Sequence, residues 1–173
     1  MKKLWKVIIP LIVVSLIIIM FLYSGIYNIG ATSPHNKLTL WMINTLKDNS
    51  IEHHAKGIAV PNLNDSSMVN LGFAHYREMC VGCHAGPGLS RDEIGQGLYP
   101  MAPKLAESAK ELSPSELFWI TKNGIKMTGM PAFGKTHSDE KIWAIVSFLE
   151  KLPGMSNEQY NQFNKSIKEE DDD

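Results

Sequence analysis

The sequence predicts an all-α protein, with one N-terminal membrane-spanning helix ahead of a small domain of short helices and long loops. Three observations predict it. Val7 to Tyr27 is a run of predominantly apolar residues without a charge. Beyond it, apolar residues recur at three- and four-residue spacing between helix caps, and nowhere alternate as strand residues do. Gly- and Pro-rich stretches separate these periodic segments.

Composition sets the outer bounds. A chain of 173 residues, 44% of them hydrophobic, suits one domain with an appendage. It is neither a polytopic membrane protein nor a disordered chain. Two cysteines exclude a disulfide-rich scaffold. The net charge is −1, but the charges are segregated. Lys2, Lys3 and Lys6 stand before the apolar run, and the rest carries −4. Five of those acids are the terminal Glu169, Glu170, Asp171, Asp172 and Asp173, without which the remainder is +1. A near-neutral domain without a basic patch excludes nucleic-acid binding.

Residues 1–6 read as a basic cytoplasmic N-terminus and residues 7–27 as a transmembrane anchor. As a helix the apolar run is about 31 Å long, the thickness of a bilayer core. The positive-inside rule places the remainder outside the cytoplasm, with Tyr23 and Tyr27 at the outer interface. The rival is a cleaved signal peptide, whose apolar core is usually shorter. Ile29-Gly30-Ala31 is a weak cleavage signal, and either reading exports the domain.

Residues 28–65 form a linker with short helices over 37–47 and 51–56, the latter ending at Gly57. Residues 66–153 are the domain. Asp65 or Ser66 caps a helix running towards Cys80, with Val69, Phe73 and Tyr76 apolar. Residues 85–100 are a long irregular loop, of a length compact domains keep for function. A short helix covers 105–111. Ser113-Pro114-Ser115-Glu116 is a capping box with Pro in the first turn, and that helix ends at Gly124. Residues 125–136 are irregular. Ser138 starts the last helix, striped by Ile142, Ile145, Val146, Leu149 and Leu152 and stopped by Pro153-Gly154. Residues 154–173 read as a polar, acidic, partly ordered tail. Such short helices pack poorly by themselves, so something else should fill the centre.

Cys80-Val81-Gly82-Cys83-His84 is the motif that carries chemistry. C-x-x-C-H reads as the covalent attachment site of one c-type haem. Two thiols three positions apart on one turn can each bond a porphyrin vinyl group, and the adjacent imidazole then faces the iron. The rivals are a redox dithiol, which wants a β-α-β setting; a zinc site, which wants a fourth ligand from His53, His54 or His75; and a structural disulfide.

His84 would take one face of the iron. For the other, Met130 is favoured, because Gly129 and Pro131 hold it in a stiff extended loop, and a thioether favours reduced iron. Met127, Met101, a histidine or an open site are the alternatives. His53 and His54, about 100° apart on a helix, read as a solvated pair. His75 and His137 read as surface residues, and the acidic tail as a solvated end.

With these residues in view, residues 66–153 resemble a class I c-type cytochrome, of the bacterial membrane-anchored monohaem kind. The haem motif follows a helix containing Gly72 and Phe73, Pro103-Lys104-Leu105 resembles the family's P-x-L element, and Gly129-Met130-Pro131 resembles its axial methionine loop. The resemblance implies thioether bonds at Cys80 and Cys83, and His84 and Met130 as iron ligands. It also implies that the Pro103 carbonyl accepts from His84, that Leu105 packs on the haem, and that the first and last domain helices cross closely at Gly72, with Phe148 beside them. The family pattern leaves residues 37–65 unexplained.

The expected function is a membrane-tethered one-electron carrier in a respiratory chain, not an enzyme. Its domain would sit on the periplasmic side of the inner membrane, between redox-protein donors and acceptors, with no small-molecule substrate. One alternative is a haem subunit fixed in a larger oxidase, reductase or dehydrogenase; exposed apolar surface on residues 37–65 would favour it, and a polar surface there a free carrier. The other is a peroxidatic or gas-binding protein with open iron.

Overall fold

A computed structural model describes the backbone of residues 2–171 and the side chains of residues 3–165. Asp172 and Asp173 of the acidic tail, and the side chains of Glu169, Glu170 and Asp171, lie outside this description. The chain divides into two units, Met1–Pro34 and His35–Asp173. All regular structure among the described residues is helical.

The first unit is helix α1 (Lys2–Tyr23) and a short irregular segment. Within Lys3–Tyr23 an 18-residue stretch has a mean hydropathy of 2.7, and the helix is long and apolar enough to cross a membrane. The helix ends four residues before the expected Tyr27, because Ser24 donates from both its amide and its hydroxyl to Phe21 O and closes the last turn. Tyr27 instead packs edge-on against Phe21.

The second unit begins with α2 (Lys37–Ala55), capped by Asn36, whose side chain accepts from the Thr39 amide. This is one helix of 19 residues where the sequence predicted two short ones. The polar Lys47-Asp48-Asn49-Ser50 stretch interrupts the apolar periodicity without interrupting the backbone. Asn49 Nδ2 donates back to Thr45 O, and Ile51 and Ala55 are buried.

Helix α3 (Ser66–Met79) starts where expected, with Asp65 accepting from the Ser67 and Met68 amides. The Ser67 hydroxyl, which also donates to it, and then these two amides hold its carboxyl below the usual carboxylate range. Next come α4 (Val81–His84), α5 (Glu93–Gln96) and α6 (Leu105–Ser108), the last extended by a 3-10 turn over Ala109–Glu111. Helix α7 (Pro114–Asn123) carries the complete capping box: Ser113 N donates to Glu116 Oε2 at 2.8 Å and Glu116 N to Ser113 Oγ at 3.4 Å. A second 3-10 turn covers Phe133–Lys135, and α8 (Asp139–Leu149) follows. Lys122 of α7 pairs with Asp139 at the start of α8 at 2.6 Å.

The core forms where α3 crosses α8. A Cβ placed on Gly72 would fall 1.9 Å from Ala144 O, so the two backbones touch at a point that leaves no room for a side chain unless the helices part. Around it Phe73, Tyr76, Phe148, Ile142, Ile145 and Val146 are all at most 1% exposed. Phe73 meets Phe148 edge-on at 5.2 Å.

The tail departs from expectation. Asn157–Asp171 form α9, not a loose end. Ser156 and Gln159 cap it reciprocally, Ser156 N donating to Gln159 Oε1 and Gln159 N to Ser156 Oγ. Tyr160 is buried and Phe163 half-buried, each ring 5.2 Å from Phe73. One turn of spacing between two aromatics is enough to dock an otherwise polar helix.

Candidate haem site

The four-residue helix α4 arranges the C-x-x-C-H motif. Cys80 ends α3, its amide donating to Tyr76 O, and begins α4, its carbonyl accepting from Cys83 N and His84 N at 3.1 and 2.9 Å. One short turn therefore presents Cys80, Cys83 and His84. Ala85 stops it at φ 60°, and the Tyr76 hydroxyl donates to the Ala85 carbonyl, tying this left-handed residue to the core.

Both thiols are free. Burial pushes the Cys80 thiol up to about 12, with Cys83 adding to the shift. That counts against the redox-dithiol reading, which needs a thiolate. No cluster of three or more metal-ligating side chains occurs among the described residues.

His84 is half-buried, and its Nδ1 donates to the Pro103 carbonyl at 2.8 Å. With Nδ1 carrying the proton, Nε2 keeps a lone pair for a metal. Burial holds the imidazole below its ordinary pKa, as does the neighbouring Arg91, while the Pro103 bond pulls the other way. A neutral imidazole is the form that binds metal.

Arg91 escaped the sequence reading. Its Nε donates to Cys83 O at 3.0 Å and a terminal nitrogen to Ala102 O at 2.6 Å, so one guanidinium spans the motif and the residue before Pro103. A lone arginine inside a Gly- and Pro-rich loop was the signal available. Beside it, Asp92 N donates to Gly82 O, and a Cβ on Gly95 would lie 2.4 Å from that same oxygen. The long loop thus folds tightly back onto the motif.

Met130 is half-buried in a loop braced by three hydrogen bonds: Ile125 N to Met130 O, Thr128 Oγ1 to Ile125 O, and Met130 N to Thr128 Oγ1. The neighbouring Gly129 packs on Leu98, from the loop that follows the motif. Met127 is 97% exposed and Met101 58%, so both rivals point to solvent. Leu105 is half-buried against the core cluster.

The remaining histidines divide. His53 and His54 are exposed, as expected, with the His54 ring 5.4 Å from Trp119. His75 is not a surface residue: both ring nitrogens are buried without a hydrogen-bond partner, and the ring lies 5.3 Å from His137, itself half-buried. The α3–α8 crossing brings the start of α8 over His75, a tertiary effect that helix periodicity does not report.

Residues 67–149 match the family described as cytochrome c oxidase, cbb3-type, subunit III. These residues are a class I c-type cytochrome domain. The match covers 83 of the 173 residues and spans α3 to α8, the elements that build the site. No curated protein matches the chain. A c-type cytochrome domain implies a haem c and electron transfer with redox-protein partners. The cytochrome domain offers what that group needs: two unpaired thiols on one turn, an imidazole with its outer nitrogen already engaged, and a braced methionine loop.

Proposed function

We propose that this protein is a membrane-tethered one-electron carrier. Cys80 and Cys83 would hold one haem c by thioether bonds, with His84 and Met130 as the iron ligands. The observation that carries the reading is the His84 Nδ1 to Pro103 O bond, which sets the tautomer of a ligand sitting directly on the C-x-x-C-H turn. When bound, the haem iron supplies a one-electron ferric/ferrous couple.

The residues of the chain keep that couple fast by moving little. Arg91 and Pro103 fix the His84 side, and Thr128 stiffens the Met130 loop. Pro103 O holds the Nδ1 proton and raises the basicity of the ligand. The thioether of Met130 favours reduced iron relative to a second histidine. Lys2, Lys3 and Lys6, in the first turns of α1 ahead of its apolar run, support an anchor with the domain outside the cytoplasm, on the periplasmic face of the inner membrane, among respiratory partners. The family description favours a second reading, a haem subunit fixed in a larger oxidase; stoichiometric copurification with integral membrane subunits would select it over the free carrier.

The test is the absorption spectrum of the full chain, produced with haem-attachment machinery and recorded oxidised and reduced. The expected result is a low-spin spectrum with the weak long-wavelength sulfur-to-iron band, lost in Met130→Ala. A high-spin spectrum, or a reduced form that binds carbon monoxide, overturns the ligand assignment and brings forward a peroxidatic or gas-binding role. Absence of covalent haem overturns the proposal.

A further inference from the structure

Helix α2 has two apolar sides. Ile51 and Ala55, 5% and 4% exposed, form the side that faces the domain, and α2 packs on α7. Leu38, Trp41, Met42 and Leu46 stand at i, i+3, i+4 and i+8, a single stripe along the first half of the helix, and are 65%, 63%, 56% and 74% exposed. At 100° per residue the stripe is centred roughly 130° around the helix from Ile51 and Ala55. Large apolar side chains gathered in this way on a folded unit mark a contact surface.

We infer that this stripe is a membrane-contact surface. The first half of α2 lies along the headgroup region of a bilayer, with Leu38, Trp41, Met42 and Leu46 turned into it. The inference rests on the anchor reading of α1. Residues 24–36 join α1 to α2 and extend to about 45 Å at most, at roughly 3.5 Å per residue. Given the anchor, lipid is therefore the surface this helix meets at the highest effective concentration.

Charge and composition agree with that occupant. Lys37 and Lys47 bracket the stripe, and Asp48, the first acidic residue of the sequence, pairs with Lys47 at 3.2 Å beyond its end. A stretch with basic and apolar but no acidic residues suits anionic headgroups. Trp41 belongs to the residue types that settle at the interface. Leu40 and Ile43 are also 39% and 45% exposed, so apolar side chains extend beyond the stripe along the same half of the helix. By the sequence criterion, exposed apolar surface anywhere in 37–65 favoured a fixed subunit. Its largest exposed side chains gather in 38–46, the part next to the anchor, which points to the bilayer instead.

The experiment uses the haem-loaded full chain in nanodiscs containing anionic lipid. With Cys80 and Cys83 bonded to haem, a nitroxide is attached to one introduced cysteine at a time: Leu46→Cys on the stripe, Asn44→Cys on another side of α2, and Val14→Cys in α1. All three positions are exposed, so the fold is undisturbed. Collision with dissolved oxygen is compared with collision with a water-soluble nickel chelate. The expected result is oxygen dominance at 14 and 46, and chelate dominance at 44. Oxygen dominance at 14 with chelate dominance at 46 leaves the anchor standing and overturns the inference. Protection of 46 from both reagents also overturns it, and assigns the stripe to a protein partner. Chelate dominance at 14 overturns the anchor reading itself.

Discussion

Gly72→Ala adds one methyl group where α3 crosses α8. The new Cβ would lie 1.9 Å from Ala144 O, 2.5 Å from Ala144 C and 3.0 Å from the Phe148 Cβ. A carbon and a carbonyl oxygen rest no closer than about 3.3 Å, so the shortfall is about 1.4 Å. The obstacle is backbone of a helix, not the end of a side chain, and it yields only if the helices part. Parting them loosens Phe73 against Phe148 and the ring stack behind it. Overpacking of this kind costs typically 1–3 kcal/mol, and the rigidity of the obstacle places it near 3. The alanine returns about 1 kcal/mol of helix propensity, leaving about 2 kcal/mol of net destabilisation. At about 4 °C per kcal/mol for a unit of this size, the midpoint falls by about 8 °C. Thermal unfolding of the holo protein, followed by far-ultraviolet circular dichroism, measures it. Gly97→Ala serves as the control, since its Cβ finds its nearest neighbour at 3.6 Å and should be near neutral. A Gly72→Ala variant as stable as the parent, or about 1 kcal/mol more stable, would refute backbone-to-backbone contact at this crossing.

Three further outcomes follow from the same structure. Ser113→Ala removes the capping box of α7 and should lose about 1 kcal/mol in guanidinium unfolding. Arg91→Ala frees both Cys83 O and Ala102 O and should destabilise by about 2 kcal/mol; Arg91→Lys, without the fork to reach both carbonyls, should fall between the variant and the parent. His75 is held below its ordinary value of 6.5 by burial first, then by His137 and Lys141, against an opposing pull from Glu78. The native state therefore binds this proton less readily than the unfolded chain. Its contribution is fully present above pH 6.5 and declines as the pH falls towards the native value. His75→Phe should flatten that acid-side decline in denaturation midpoints recorded from about pH 7.5 to about pH 5; an unchanged slope would clear His75 of the effect.

Much of this was legible in sequence because the signals were local. Asp65 and the Ser113–Glu116 box mark helix starts by side-chain bonds within three residues, and the Ile142–Leu152 stripe is a core face written at helical period. The C-x-x-C-H turn and the Pro103 partner of His84 were also readable, the first from spacing and the second from resemblance. What escaped was tertiary. Helix α2 runs through a polar stretch because Ile51 and Ala55 find a buried site beyond it. His75 is covered by an element that begins more than sixty residues later in the chain. Arg91 acts through two backbone carbonyls, which no side-chain motif encodes. Only α9 carried an overlooked local sign, the Ser156–Gln159 cap followed by Tyr160 and Phe163.

That last helix separates two meanings of a boundary. The family match stops at residue 149, yet Tyr160, eleven positions later, is 1% exposed and its ring closes over Gly86, where a Cβ would come 2.9 Å from Tyr160 Cζ. A chain trimmed to the matched region would keep every proposed iron ligand and still bare one flank of Phe73 to water, on the helix that delivers Cys80. The inherited unit and the folding unit thus end at different residues. Proteolysis or truncation between α8 and α9 would strip the wall from the turn that follows His84 while leaving the recognisable motif intact.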